Sequence, residues 1–185
     1  MYALTIKIVR LLFLGFLPLL VISSVGNHPE LSPNLPNGTY VLELTGNTNY
    51  ALDGTIGFRQ LTETSVAGET FSVLRLFFSG QGDIGQHDME VVVSKENETG
   101  SMPLGNYEVK NVDSFLSPFN GIFGAFSSDR FGEKPFFTNK GSVQITQCHK
   151  NLVKGALNLI LENQAGEILV VKGNFDASSD TSTPK

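Results

Sequence analysis

GSVQITQ (Gly141–Gln147), LVKGALNLILEN (Leu152–Asn163) and EILVVKGNFDA (Glu167–Ala177) alternate apolar and polar residues with a period of two. Val143 and Ile145 share one face of the first piece, Leu157, Leu159 and Leu161 one face of the second, and Leu169, Val171 and Phe175 one face of the third. Successive side chains of a strand point to opposite sides, so this pattern predicts three strands with one buried face each. Asn163, Gln164, Ala165 and Gly166 supply the turn between the last two, which makes the stretch an antiparallel meander. Ile168 and Val170 add apolar residues to the other face of the third strand, which predicts a central strand covered on both sides over part of its length.

The same alternation extends upstream. Tyr40, Leu42 and Leu44 form one face of a first strand, and Leu52, Ile56 and Phe58 one face of a second. Leu74, Leu76 and Phe78 oppose Phe71, Val73, Arg75 and Phe77 on a third, and Met89 to Ser94 follows the glycine-rich loop Ser79 to Gln86. Pro103 to Tyr107 opens another strand as Pro36 to Tyr40 opens the first. Eight or nine strands and no helical period past the N-terminus predict an all-β fold. The short connections favour an antiparallel two-sheet sandwich, jelly-roll-like, with a calycin-like open barrel as the alternative.

With 185 residues and 41% hydrophobic content, the chain has core for one domain and too little for two. Lys7 and Arg10 precede an uncharged apolar run, Leu11 to Ile22, broken by Gly15 and Pro18. That is the pattern of an export signal, over 1–25, and not of a membrane span. An extended proline-rich tether is expected over 26–37, one β domain over 38–177 and a disordered polar tail over 178–185. The location expected is outside the cytoplasm: periplasmic, associated with the outer membrane, or secreted.

The full chain carries a formal charge of −5, and removal of Lys7 and Arg10 with the leader makes it −7. An acidic protein with no basic run offers no electrostatic hold on nucleic acid or an anionic bilayer, so membrane contact is confined to an N-terminal anchor. Cys148 is the single cysteine, so no intramolecular disulfide forms. It is expected at a strand end, on the face opposite Val143 and Ile145, as a small half-buried residue.

Phe137 to Thr146 (FTNKGSVQIT), Lys154 to Leu159 (KGALNL) and Val171 to Phe175 (VKGNF) resemble uncharacterised exported lipoprotein families of Bacteroidota, as does Leu52 to Ile56. Val21 to Ser24 resembles their lipidation box, but Val25 stands where the lipidated cysteine belongs and has no thiol to alkylate. The resemblance implies a small β domain at the cell envelope and transfers no activity and no catalytic residues.

Catalytic constellations are absent from the sequence. His28, His87 and His149 lie in separate regions, and no Gly-x-Ser-x-Gly elbow occurs. No cofactor or metal is predicted. Asp83, Asp88 and Glu90 surround a glycine-rich loop as a weak calcium candidate, at a spacing that matches no known calcium loop. Periodicity fails between Asp113 and Thr138, where seven of the fourteen phenylalanines gather. Phe115, Phe119, Phe123, Phe126 and Phe131, with Arg75 among apolar neighbours, are therefore the candidate ligand site. The reading that follows is a non-catalytic envelope domain that binds a protein, glycan or apolar ligand or has a structural role. The alternatives are a carrier enclosing an apolar molecule with segment 115–137, and a hydrolase of envelope glycans or peptides.

Overall fold

The computed structural model describes residues 37–97, 101–110 and 118–179, all within one compact unit, Leu31–Lys185. The expected leader, nearly all of the tether, Phe115 and the tail from 180 onward lie outside the described residues. Nine strands form: β1 (Thr39–Thr45), β2 (Asn49–Thr64), β3 (Thr70–Gly82), β4 (Gly85–Glu96), β5 (Gly105–Glu108), β6 (Gly121–Ser128), β7 (Phe136–His149), β8 (Leu152–Glu162) and β9 (Ile168–Ser179). β9 thus runs past the expected domain end at Ala177. Its last residues pair with Leu152 of β8 and, in parallel, with Gly57 and Phe58 of β2.

The fold is all-β, but the two-sheet sandwich does not form. Around the molecule the strands follow β7-β6-β4-β3-β2-β1-β9-β8, and β8 pairs back onto β7, closing an eight-stranded antiparallel barrel. The barrel alternative fits, in closed form. A sandwich and a barrel impose the same local alternation. They differ in whether β7 pairs along both edges, and that pairing is long-range. β6 and β7 touch only at Ala125–Phe137 and Phe126–Phe136, where the Gly124 amide also donates to Thr138 Oγ1 at 2.9 Å. Beyond that point they diverge, and β5 fills the wedge by pairing with Ser142–Ile145 of β7, while Val109 bridges Ile122.

The meander is present as β7, β8 and β9 in antiparallel register. Val143, Ile145, Leu157, Leu159, Leu161, Leu169, Val171 and Phe175 are all buried. Ile168 is 56% exposed, so the expectation that this part of β9 is covered on both faces is corrected there; farther along, Asp176, on the face opposite Phe175, is buried. The β8–β9 turn is organised by Asn163. Its Oδ1 accepts from the amides of Ala165 (2.9 Å) and Glu167 (3.0 Å), and its Nδ2 donates to Glu167 Oε2 (2.6 Å). Such an Asx turn replaces backbone partners that a tight reversal leaves unmet. Asn163→Ala is expected to cost about 1–2 kcal/mol in chemical denaturation, because Asn163 is buried and its two amide donors lose their acceptor.

The interior is a packed core. Tyr40, Leu42, Leu44, Leu74, Leu76, Phe78, Val91, Val93, Phe126, Phe136 and Phe175 fill it together with the inner faces of β7–β9. Apolar-in with polar-out is the reverse of the pattern of a membrane-spanning barrel. Interior glycines make room for rings. Tyr40, Gly54, Gly80, His87 and Ser128 occupy one register row across β1, β2, β3, β4 and β6. The Tyr40 ring crosses both glycines, and its hydroxyl reaches His87 Nε2 at 2.6 Å. In the same way Phe175 lies against Gly155. A glycine inside a strand commonly marks such a close approach.

Candidate functional sites

Segment 115–137 does not act as one lining. Rather than a continuous loop, residues 121–128 form β6, and alternation sends the rings to different places. Phe126, Phe131 and Phe136 pack mutually, with ring centroids 5.7 to 6.5 Å apart, and Phe131 also meets Tyr50 at 6.3 Å. Together they plug the end of the barrel that carries the β3–β4 and β6–β7 connections, called the upper end here. Phe123 points outward and stacks on Phe137 at 6.0 Å. Phe119 is half-buried. Arg75 lies on the outer face, where its Nη1 donates to Glu90 Oε1 at 3.3 Å. Glu90 is thereby removed from the weak calcium set. Asp83 and Asp88 are exposed, and no group of three metal-ligating side chains exists among the described residues.

The lower end holds an open cleft of about 720 Å³ between the loop at 101–104 and the end of β7. Met102 and Leu104 give it an apolar wall, Gln60 and Gln147 amides, and His149 and Lys150 a polar rim that includes one fixed positive charge. Cys148 lies in this wall for a reason the sequence pattern hides. Ile145 pairs with Gly155 but Gln147 with Lys154, so Thr146 is an extra residue, a β-bulge. Its hydroxyl donates to the Lys154 carbonyl at 3.1 Å. The bulge inverts the alternation, and Cys148 then opposes inward-facing Val153 and packs on the core. The expectation that Cys148 faces away from Val143 and Ile145 is thereby corrected. Burial pushes its thiol above the ordinary cysteine value, so the protonated, poorly nucleophilic form dominates. Tyr107, beside it, is pushed up to about 12, first by burial and then by Cys148. Its hydroxyl donates to the Pro103 carbonyl, tying the 101–104 loop to β5.

The upper end holds a second open cleft of about 520 Å³ at the junction of β4, β6 and the Asp129–Phe131 turn. Asp88, Asp129 and Glu133 contribute to its wall beside Gln86 and Ser128. Asp129 is set in place by the Gln86 amide, which donates to its Oδ2 at 3.0 Å. Behind this cleft is the buried polar row that sequence reasoning missed: Tyr40, His87 and Ser128, at most 7% exposed. His87 Nδ1 and Ser128 Oγ have no hydrogen-bond partner among the described residues. The available signal was the pair of glycines, Gly54 and Gly80, inside otherwise regular strands.

Compared with protein-family models, with curated proteins and with solved structures, the chain matches none.

Proposed function

We propose that this protein is a non-catalytic, exported binding module of the cell envelope whose lower mouth takes a small amphiphilic anion. The observation that carries this reading is the composition of that mouth. On a chain with 18 acidic against 13 basic side chains, no acidic side chain lines the cleft among the described residues, and Lys150 supplies a cation beside the apolar surface of Met102 and Leu104. The mouth of a small barrel is a usual place for a ligand, and an apolar wall with one charge at its rim suits a molecule with a tail and an acid group. A protonated thiol at Cys148 favours binding over nucleophilic chemistry. Export rests on the leader reading, and the envelope setting on the resemblance to exported lipoprotein-like domains. A carrier that encloses its ligand within the barrel is disfavoured, because Phe126 and Phe136 stand in the core and Phe123 outside it.

Titration with decanoate, with decanol as the uncharged comparison, tests the mouth. Decanoate is expected to bind in the micromolar to millimolar range and to slow alkylation of Cys148. Lys150→Gln is expected to weaken decanoate by about threefold to tenfold while leaving decanol unchanged. Equal response of both ligands to that substitution, or no protection of Cys148, would overturn the assignment. Intact mass of the protein recovered from its producing cells tests export: a mature chain starting near Ser24 to Gly26 is expected, and retention of Met1 to Arg10 contradicts it.

A further inference from the structure

The geometry points to an N-acyl amino acid, a molecule with an alkyl tail, an amide and a carboxylate, as the ligand class of the lower mouth, with Gln60 and Gln147 selecting for the amide. This rests on the proposed function, which supplies the tail and the acid, and adds the group that joins them.

Gln60 stands where strand alternation calls for an apolar residue. Ile56 and Phe58, before it on β2, are buried on the inward face, and Gln60 continues that face to the lower mouth, half-buried, with buried Leu74 as its register partner on β3. Removing part of an amide from water is unfavourable unless its polar atoms find partners. The thiol of Cys148, on the opposite wall of the barrel, donates to Gln60 Oε1 at 3.9 Å. That contact turns the carbonyl oxygen toward β7 and leaves Nε2, with its two N–H donors, for the cleft. Gln147 lines the same cleft. Among the described residues, no hydrogen bond engages Gln60 Nε2 or the Gln147 carboxamide.

Two carboxamides do not suit a plain fatty acid. A methylene chain laid against them strips water from donors and acceptors and returns no hydrogen bond. A ligand amide offers one C=O and one N–H: Gln60 Nε2 donates to the first, and Gln147 Oε1 accepts from the second. Lys150 follows Gln147 closely in the chain, in the turn between β7 and β8, so the cation that takes the carboxylate stands next to an amide. An N-acyl amino acid has its amide next to its acid in the same way, with the tail left for Met102 and Leu104. The facing wall is held ready for it. Asn97 Nδ2 donates to the Ser101 carbonyl at 2.5 Å and the Tyr107 hydroxyl to the Pro103 carbonyl, tying the 101–104 loop down at both ends. A wall fixed beforehand loses less freedom when a ligand binds.

Calorimetric titration with N-heptanoylglycine and with decanoate, which have equal chain length and the same acid group, tests this. The amide makes N-heptanoylglycine the less hydrophobic of the two, so an unselective apolar mouth would bind it more weakly. Binding tighter than that of decanoate by about threefold to tenfold is expected. Gln60→Leu and Gln147→Leu, made singly, are each expected to reduce that preference by weakening N-heptanoylglycine and not decanoate. Circular dichroism and the decanoate titration check that each variant keeps its barrel and its mouth. Decanoate bound as tightly as N-heptanoylglycine, or more tightly, overturns the amide assignment and leaves the amphiphilic-anion reading standing. A preference that survives both glutamine substitutions does the same. Failure of both ligands to bind overturns the two readings together.

Discussion

Gly80→Ala is expected to destabilise the barrel by about 3 kcal/mol, a large effect for one methyl group. A Cβ added at Gly80 would lie 2.7 Å from the Tyr40 hydroxyl and 2.7 Å from His87 Nε2, and it would also press on the Asp53 carbonyl. The ring could in principle shift, but the carbonyl is backbone, so relief requires β2 and β3 to separate along a ladder that runs from Thr55–Ser79 to Thr64–Thr70. The same methyl breaks the 2.6 Å bond between Tyr40 and His87, leaving further buried polar atoms unmet. Gly82→Ala is the matched control: it lies on the same strand with nothing within 4 Å of the added atom, and it is expected to stay within about 0.5 kcal/mol of the parent. Urea midpoints for both variants decide the matter. If Gly80→Ala and Gly82→Ala coincide, the ring does not lie across these glycines. Adding Tyr40→Phe to Gly80→Ala should recover part of the loss, since it removes the crowded oxygen, whereas Tyr40→Phe alone should cost stability by stranding His87 Nε2. That reversal of sign is the signature of direct contact.

The alternation that placed Val143, Leu157 and Val171 inward was legible because it depends only on strand geometry. Closure was not, since the eighth strand pair, β7 with β8, completes a ring that also needs Phe136 to meet Phe126. No property of these residues separately announces that pairing. Cys148 shows how a local exception defeats a local rule. Nothing in QITQCH marks Thr146 as the bulged residue, yet one unpaired residue moves every later side chain to the other face. The phenylalanines fared similarly. Their number was conspicuous, but β6 and β7 distribute them by strand parity between the plug at Phe126, Phe131 and Phe136 and the outer pair Phe123–Phe137. Of the acidic candidates, only Asp88 ends in a cleft, because its companions Asp129 and Glu133 come from a connection distant in sequence. Sites built from separated segments carry no spacing to read.

Stability is expected to fall as pH rises above about 9, and three buried acids set the sign. Tyr40 is held well above the ordinary tyrosine value by burial, then by the Asp53 and Asp88 carboxylates. Tyr107 is pushed up to about 12 by burial, then by Cys148, and Cys148 is itself raised by burial. Each group is neutral when protonated, and the fold favours that form. The unfolded chain releases these protons from about pH 9 to 10, while the folded chain holds them to higher pH. Over that interval the folded state binds more protons, so unfolding free energy declines with pH. Their contribution is therefore complete below the unfolded values and is lost upward through the folded ones. For Tyr107, raised from 10.0 to about 12, the two-unit gap corresponds to about 3 kcal/mol. Tyr40, only 1% exposed, adds in the same direction. Urea unfolding at successive pH values, with phenolate absorbance followed in parallel, tests this. The two buried tyrosines should ionise only as the protein unfolds, and Tyr107→Phe should flatten the decline relative to the parent. A stability profile level from about pH 8 to 11, or ionisation of Tyr40 and Tyr107 near 10 in the folded protein, would mean that neither ring is sealed inside the barrel.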